Sequence, residues 1–212
     1  MKVLTLNINF NDLTPARIQK IIALILEHNA DIVFLQEVPR EMVEHFLKLD
    51  GYPHQFGATF QHPYNTLILS SLPCIRYDRI SLPETHSHRN FLIAEIVLPS
   101  GQTMIVGTFH CDSVFGKIGS EQETLKLDQL RSIGSILQGK RFAIAGDTNI
   151  TDNGKTTIDT LNELDSPATF KKIRFDRIFV SSDITTSPVE VIGDATHSDH
   201  RGLVVSINLP EQ

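Results

Sequence analysis

Residues 141–149 read RFAIAGDTN. The segment opens as a short apolar, β-prone run and closes on a carboxylate and an amide. It predicts a buried strand over Arg141–Ala145 that delivers Asp147 and Asn149 at its C-terminal end. The same form recurs elsewhere. VLTLN at 3–7 ends on Asn7, DIVFLQE at 31–37 ends on Gln36 and Glu37, and IVGTFH at 105–110 ends on His110. RFDRIFV at 174–180 carries Asp176 inside it, and Asp199-His200 precede GLVVSIN at 202–208. A strand-end Asn or Asp is ordinarily a turn former. Asp176 within an apolar strand needs a partner, because a buried carboxylate is costly without one. Six polar positions at strand ends exceed what turns require. Strand ends gathered on one edge of a sheet sandwich make one polar pocket.

Working outward, Val3–Ile8 and Asp31–Gln36 predict buried strands, with a helix between them. Thr14 is its N-cap and Pro15 its first residue, Ile18, Ile21, Ile22 and Ile25 share one face, and Asn29 closes it. A second helix is expected over Pro39–Leu49. Strands are expected at Thr66–Ser70, Ile75–Ile80, Phe91–Leu98 and Thr103–Phe109, the last two joined by the Pro-Ser-Gly turn at 99–101. Ser120–Gln138 predicts a helix with a Ser120/Glu123 capping box and Gly139 after its end. A short helix is expected around Thr157–Leu164, then strands at Arg174–Val180 and Gly202–Leu209. There is no regular βαβ alternation and no Gly-rich phosphate loop. Nine to eleven strands with three or four helices predict two packed sheets with helices outside, in one domain over residues 1–212.

Composition excludes several classes. The chain has 212 residues, 41% hydrophobic and 21% charged, with 19 basic and 25 acidic side chains, so 19 − 25 = −6. That balance disfavours a protein that coats long duplex DNA. Cys74 and Cys111 cannot build a disulfide framework and predict free thiols in a reducing, cytoplasmic or nuclear, setting. No apolar run reaches the roughly 18 residues of a membrane span. The opening MKVLTLNI enters a strand directly, which leaves no room for a signal peptide. The expectation is a soluble monomer with no membrane partner.

The chemistry of the pocket follows from its residue types. Asn, Glu and Asp offer hard oxygen ligands, which suit Mg²⁺ or Mn²⁺ over zinc. Histidines and an Asp-x-Asn pair beside such a metal suit hydrolysis of a phosphate ester: charge on the phosphate oxygens is neutralised while a carboxylate orients or deprotonates water. Asp147 and Asn149 would face the same side if strand geometry persists between them.

The set TLN, LQE, GDTN, RFDRIF and SDH resembles the endonuclease/exonuclease/phosphatase superfamily. Within it, GDTN, RFDRIF, SDHRGL and FHCDS resemble the tyrosyl-DNA phosphodiesterase 2 branch, over Leu4 to Leu209. The resemblance implies a DNase I-like α/β fold: a four-layer α/β/β/α sandwich of two mixed sheets flanked by helices. It implies Mg²⁺ or Mn²⁺ as cofactor, with Glu37 the principal metal ligand, Asn7 supporting the metal and phosphate region, and Asp199 near the metal shell. It implies that Asp147 activates the attacking water, Asn149 bonds the phosphate or nucleophile, His200 binds a phosphate oxygen, and Asp176 orients His200. His110 and Ser113 would contact the phosphate from the other side.

The substrate implied is a 5′ DNA end, single-stranded, carrying a tyrosyl adduct. Other phosphoesterase reactions of the superfamily stay open: abasic-site endonuclease, DNase or RNase, and inositol or lipid phosphatase. The chain also departs from the branch. Leu6 stands for Trp, Val114 stands where an Arg follows, and Phe170 stands for a substrate-stacking Trp, although a core residue is an equal reading. Arg89 resembles a substrate-strand contact or is a solvated loop residue. Lys171, Lys172, Arg174 and Arg177 form a basic run beside the pocket, with Arg177 a candidate substrate contact and a solvated face the ordinary reading; Arg201 lies there too. His86 and His88 read as a loop, His197 has no assigned role, and Cys111 reads as inert.

Overall fold

A computed structural model of the chain describes residues 1–11, 13–57, 64–83, 89–113, 120–151, 154 and 156–209, without the side chains of residues 120–122. Strand β1 (Lys2–Asn7) passes through helix α1 (Pro15–His28) to β2 (Ile32–Pro39), which lies parallel to it. α1 forms where its caps predict. The Thr14 hydroxyl accepts from the Arg17 backbone N–H at 3.2 Å, Pro15 starts the helix, and Asn29 ends it at φ 44°. Its buried stripe is Ile18, Ile21, Leu24 and Ile25, with Ile22 half-buried.

The first sheet has seven strands. Its order is β11 (Thr185–Thr186), β13 (Gly202–Asn208), β1, β2, β4 (Tyr64–Ser70) and β3 (His54–Phe56), and β12 (Glu190–Ile192) also pairs with β13. The second sheet has six: β5 (Cys74–Ser81), β6 (Asn90–Val97), β7 (Thr103–His110), β8 (Phe142–Asp147), β10 (Asp176–Val180) and β9 (Asn162–Glu163). There the parallel pair is β7 and β8, joined through α3 (Ser120–Leu137). Each sheet therefore carries one parallel pair with a helical crossover, and its other pairings are antiparallel.

Three apolar clusters define the layers. Val3, Phe34, Val106, Ala145, Ile178 and Leu203 belong to the cluster between the sheets. Leu4, Leu6, Val33 and Leu35 pack with Ile21 and Ile25 of α1 and with Val43 and Phe46 of α2 (Val43–Leu47). Phe109, Phe142, Ile144 and Phe179 pack with Leu130, Ile133 and Leu137 of α3. Alternation along each strand sorts its residues between these layers. The result is the expected four-layer α/β/β/α sandwich.

Some expectations fail locally. The stretch 39–49 is one 3₁₀ turn, Arg40–Met42, followed by the short α2. Residues 157–164 form no helix: Ile158 and Leu161 make a β-bridge and Asn162–Glu163 pair with β10. Glu163 is drawn to the edge of the sheet by Arg174 and Arg177, which outweighs local helical spacing. The described residues form thirteen strands, the additional ones being two or three residues long. In α3, Ser120 is already helical and its side chain lies outside the described residues, while the Glu123 carboxylate accepts from Thr151.

Candidate active site

The C-terminal ends of β1, β2, β7 and β8 fall on one edge of the sandwich, as expected for the ligand end of parallel strands. Antiparallel β10 and the segment leading into β13 start at that same edge. Asp147 is directly paired with Asp176, the first residue of β10, and His110 lies beside Asp147 in register. Asp176 thus begins its strand rather than interrupting it. Thr5, Gln36 and Thr108 form a polar layer beneath the site, where the Gln36 side-chain N–H groups donate to both hydroxyls at 3.1 and 2.8 Å.

Alternation brings Asn7, His110, Asp147 and Asp176 to the inter-sheet face, in phase with the apolar residues below them. Glu37 is out of phase, because Val33 and Leu35 face α1. A bulge corrects this: the pairing of β2 with β4 slips by one residue between Leu35 and Val38, and Glu37 sits at φ 58°. An extra residue in one strand re-aims the side chain. Val38 returns to the α1 layer while the Glu37 carboxylate reaches Asn7.

The Asn7 amide N–H₂ donates to Glu37 Oε1 at 3.1 Å and to Asp147 Oδ2 at 3.0 Å. Its oxygen accepts from the Asn9 backbone N–H at 3.0 Å. Asn7 therefore clamps two carboxylates through its N–H₂ group, while its oxygen faces the Asn9 backbone. The second Glu37 oxygen accepts from the Phe10 backbone N–H at 3.3 Å, and the Phe10 ring stacks on Tyr64 at 4.0 Å. Neither aromatic residue was singled out in the sequence, since their pairing across a loop and a strand leaves no periodic signal.

Asp147 is 1% exposed, and its Oδ1 accepts from the Asn149 backbone N–H at 2.7 Å. Burial raises its carboxyl to about 6, against a smaller lowering by His200, with Asp176 adding to the rise. The strand does not persist to Asn149, which sits at φ 52° and donates its side-chain N–H to the Cys111 carbonyl at 3.0 Å. The two side chains are joined by a turn and do not share a strand face. Buried Lys126 of α3 donates to the Asn149 carbonyl at 2.6 Å and fixes that turn. A Cβ at Gly146 would meet the Phe109 carbonyl oxygen at 2.0 Å, so this position of GDTN admits only glycine.

His200 Nδ1 bonds Asp176 Oδ2 at 2.8 Å, and Nε2 lies 4.0 Å from Asp147 Oδ2. Burial alone would lower the imidazole. The charge and hydrogen bond of Asp176, with Asp147 and Asp199, outweigh that and raise it to about 10. His200 is an imidazolium at neutral pH, hydrogen-bonded to Asp176. The other Asp176 oxygen is buried with no hydrogen-bond partner among the described residues. His110 differs: burial, then the charges of Arg89 and His200, push it well below its ordinary value, so it is neutral.

Arg89 is brought into the site, where its guanidinium meets His110 Nδ1 at 2.9 Å and donates to Ser113 Oγ at 3.3 Å. Gln129 of α3 holds the same loop, donating to Asp112 Oδ2 at 2.9 Å. Phe170 lies over His200 at 5.0 Å and stacks on Phe175 at 5.3 Å. Asp199 is exposed and belongs to neither tight cluster of ligand groups. Arg177 is not at the site at all. It is 0% exposed, on the α3 side of β10, and bonds both Glu163 oxygens at 3.0 and 3.1 Å. Arg174 pairs with the same carboxylate, while Lys171 and Lys172 are exposed. Burial pushes the Cys111 thiol up, in keeping with an inert residue. Val114, His86 and His88 lie outside the described residues.

Two groups of ligand atoms each lie within 4.8 Å of one another: Glu37, His110 and Asp147, and Asp147, Asp176 and His200. The second is an ion cluster, since His200 carries a proton. The first has two carboxylates at one point and fits a divalent cation.

Comparison with known proteins accords with this geometry. The profile of the Endonuclease/Exonuclease/phosphatase family matches residues 4–200. No curated protein matches. The chain is similar to D. rerio TDP2 humanised by 14 mutations, with a TM-score of 0.85, 23% identity and 98% of each chain covered. It is similar to D. rerio TDP2 complexed with single-strand DNA product, with a TM-score of 0.81, 23% identity and 98% of each chain covered. It is also similar to a mannosyl-6-phosphatase of Bacteroides thetaiotaomicron, at 0.78 and 16% identity, over 99% of this chain and 100% of that one. At these identities the likeness is one of fold.

Proposed function

The chain belongs to the endonuclease/exonuclease/phosphatase family, a phosphoester hydrolase, and from that premise we propose that it removes tyrosine from 5′ DNA ends. The observation that carries this reading is the meeting of Glu37, Asp147 and Asp176 with one charged and one neutral histidine at a single sheet edge. The fold it shares with D. rerio TDP2, which has been seen with single-strand DNA product, supports the substrate class.

Mg²⁺ or Mn²⁺ fits beside Glu37 and Asp147, because the carboxylates there are oxygen donors in excess of cationic partners. When bound, such an ion supplies neutralisation and polarisation of a phosphoryl oxygen. Asp147 would orient the attacking water and take its proton, and Asn7 and Asn149 fix its two oxygens. Water oxygen attacks phosphorus, the bond to the tyrosyl oxygen breaks, and a phenolate of pKa about 10 leaves. The products are a 5′-phosphate and a tyrosine hydroxyl. The His200 imidazolium, steadied by Asp176, donates to a phosphoryl oxygen. Phe170 and the Phe10–Tyr64 pair offer ring faces at the rim, and Lys171 and Lys172 add positive charge for a short single strand.

A single-stranded oligonucleotide with a 5′-phosphotyrosyl end, incubated with Mg²⁺, tests this. Release of tyrosine is expected. No release, while an abasic-site duplex, RNA or an inositol phosphate is cut, overturns it in favour of that reaction.

A further inference from the structure

Glu37, Asp147 and His110 place two carboxylates and an imidazole nitrogen within 4.8 Å of one another. A carboxylate–histidine set of that kind is ordinary for Zn²⁺. One contact outside the set bears on this. Arg89 places a guanidinium N–H 2.9 Å from His110 Nδ1. A guanidinium has only donors and does not lose its proton in proteins, so Nδ1 must present its lone pair. The one proton of the neutral ring is then on Nε2, the nitrogen that faces Asp147 Oδ2 at 3.5 Å and Glu37 Oε1 at 3.7 Å. A nitrogen that carries a proton cannot ligate a metal. That Nε2 is buried with no hydrogen-bond partner among the described residues, a donor aimed into the site.

Resting on the reading above that a divalent cation sits at Glu37 and Asp147, we propose that Arg89 is a positioning residue that sets metal choice. By fixing the tautomer of His110 it withholds the only nitrogen of this cluster, leaving oxygen ligands that suit Mg²⁺ or Mn²⁺ over Zn²⁺. Where a metal-ligating histidine ordinarily passes its remote N–H to a carboxylate or carbonyl, this one receives a hydrogen bond instead. The guanidinium is itself directed, donating to Ser113 Oγ at 3.3 Å and lying 3.8 Å from Asp112 Oδ1. Asp112 in turn accepts from Gln129 at 2.9 Å. His110 Nε2–H is left to donate to a phosphoryl oxygen.

The test is nitrogen NMR of histidine-labelled, metal-free protein together with calorimetric titration by MgCl₂, MnCl₂ and ZnCl₂. In the wild type, His110 shows an unprotonated Nδ1 and a protonated Nε2. Arg89→Glu places an acceptor at Nδ1, so the pattern reverses and the affinity ratio of Zn²⁺ to Mg²⁺ rises roughly 10–100-fold, the range for outer-shell changes. Arg89→Lys keeps a donor, and both tautomer and ratio stay as in the wild type. Should Arg89→Glu fail to fold, Arg89→Met removes the donor and is expected to show mixed tautomers and an intermediate ratio. A protonated Nδ1 in the wild type, or an unchanged ratio in a variant whose tautomer has reversed, overturns the proposal. Absence of binding by any of the ions overturns both this and the metal reading. Absent tyrosine release alongside the expected NMR and calorimetric results sinks only the substrate.

Discussion

Asp176 and Arg177 are neighbours on one strand, and each anchors a buried charge cluster on its own face of the sheet. On the α3 side, Arg177 and Arg174 close on Glu163, with Thr156 supplying a backbone N–H at 2.6 Å and a hydroxyl at 2.8 Å. On the inter-sheet side, Glu37, Asp147 and Asp176 meet a single imidazolium, and Asp176 Oδ1 and His110 Nε2 have no hydrogen-bond partner among the described residues. Both clusters pay the desolvation cost of buried charge. In the first, the fold supplies guanidinium partners to both oxygens of the buried carboxylate. In the second, anions exceed cations, and burial, with Asp176 adding to it, raises Asp147 to about 6. Burial alone does not distinguish structure from chemistry here; whether the carboxylates are matched by cations does.

Substitutions at the two clusters should therefore separate activity from stability. Asp147→Asn is expected to lower turnover on the phosphotyrosyl oligonucleotide by about 10³-fold or more, while the urea midpoint holds or rises, because a buried anion is removed. A lower midpoint would make Asp147 structural and erase the contrast. Glu163→Ala is expected to do the reverse: it strands two buried guanidinium groups and costs about 3–5 kcal/mol by urea unfolding, with turnover per folded molecule unchanged.

Asp176→Asn probes the joint between the clusters. Turnover should drop about 10²-fold as His200 loses its orienting anion. His200 is raised in the folded state, so its contribution to stability is complete below its unfolded value of 6.5 and is lost as pH rises through about 10. In the variant that loss moves to lower pH, and the His200 resonances should titrate correspondingly earlier in an NMR series. The smallest effect is that of the ion. Mg²⁺ at a hundred times its dissociation constant should stabilise the wild type by about 2.7 kcal/mol, seen as a rise in Tm. Glu37→Gln should abolish that rise, whereas Glu163→Gln should retain it.

Strand ends carried most of this in the sequence. RFAIAGDTN, VLTLN and IVGTFH each show a short apolar run closing on a polar group, and the structure brings those groups together. The caps of α1 were equally legible, since Thr14-Pro15 and Asn29 act through local geometry. What failed depends on partners distant in sequence. Arg177 looked basic and free beside Lys171 and Lys172, although alternation from Asp176 already sends it to the other face. Ile158, Leu161 and Leu164 carry helix-like spacing, yet the fold of 157–164 is decided by the arginines that draw Glu163. The Asn7 amide orientation depends on the Asn9 backbone, and Lys126 and Gln129 act from a helix whose other role is packing.

The bulge in β2 carries a further consequence. A strand is a two-state counter: each residue added or removed inverts which layer every later side chain enters. Without the slip, a regular β2 would leave the Glu37 carboxylate in phase with Val33 and Leu35 and send it into the α1 layer. A chain so altered would keep each of the other site side chains, and a census of its composition would find nothing missing. Parity within eight residues of one strand is therefore as necessary to this site as the acids themselves.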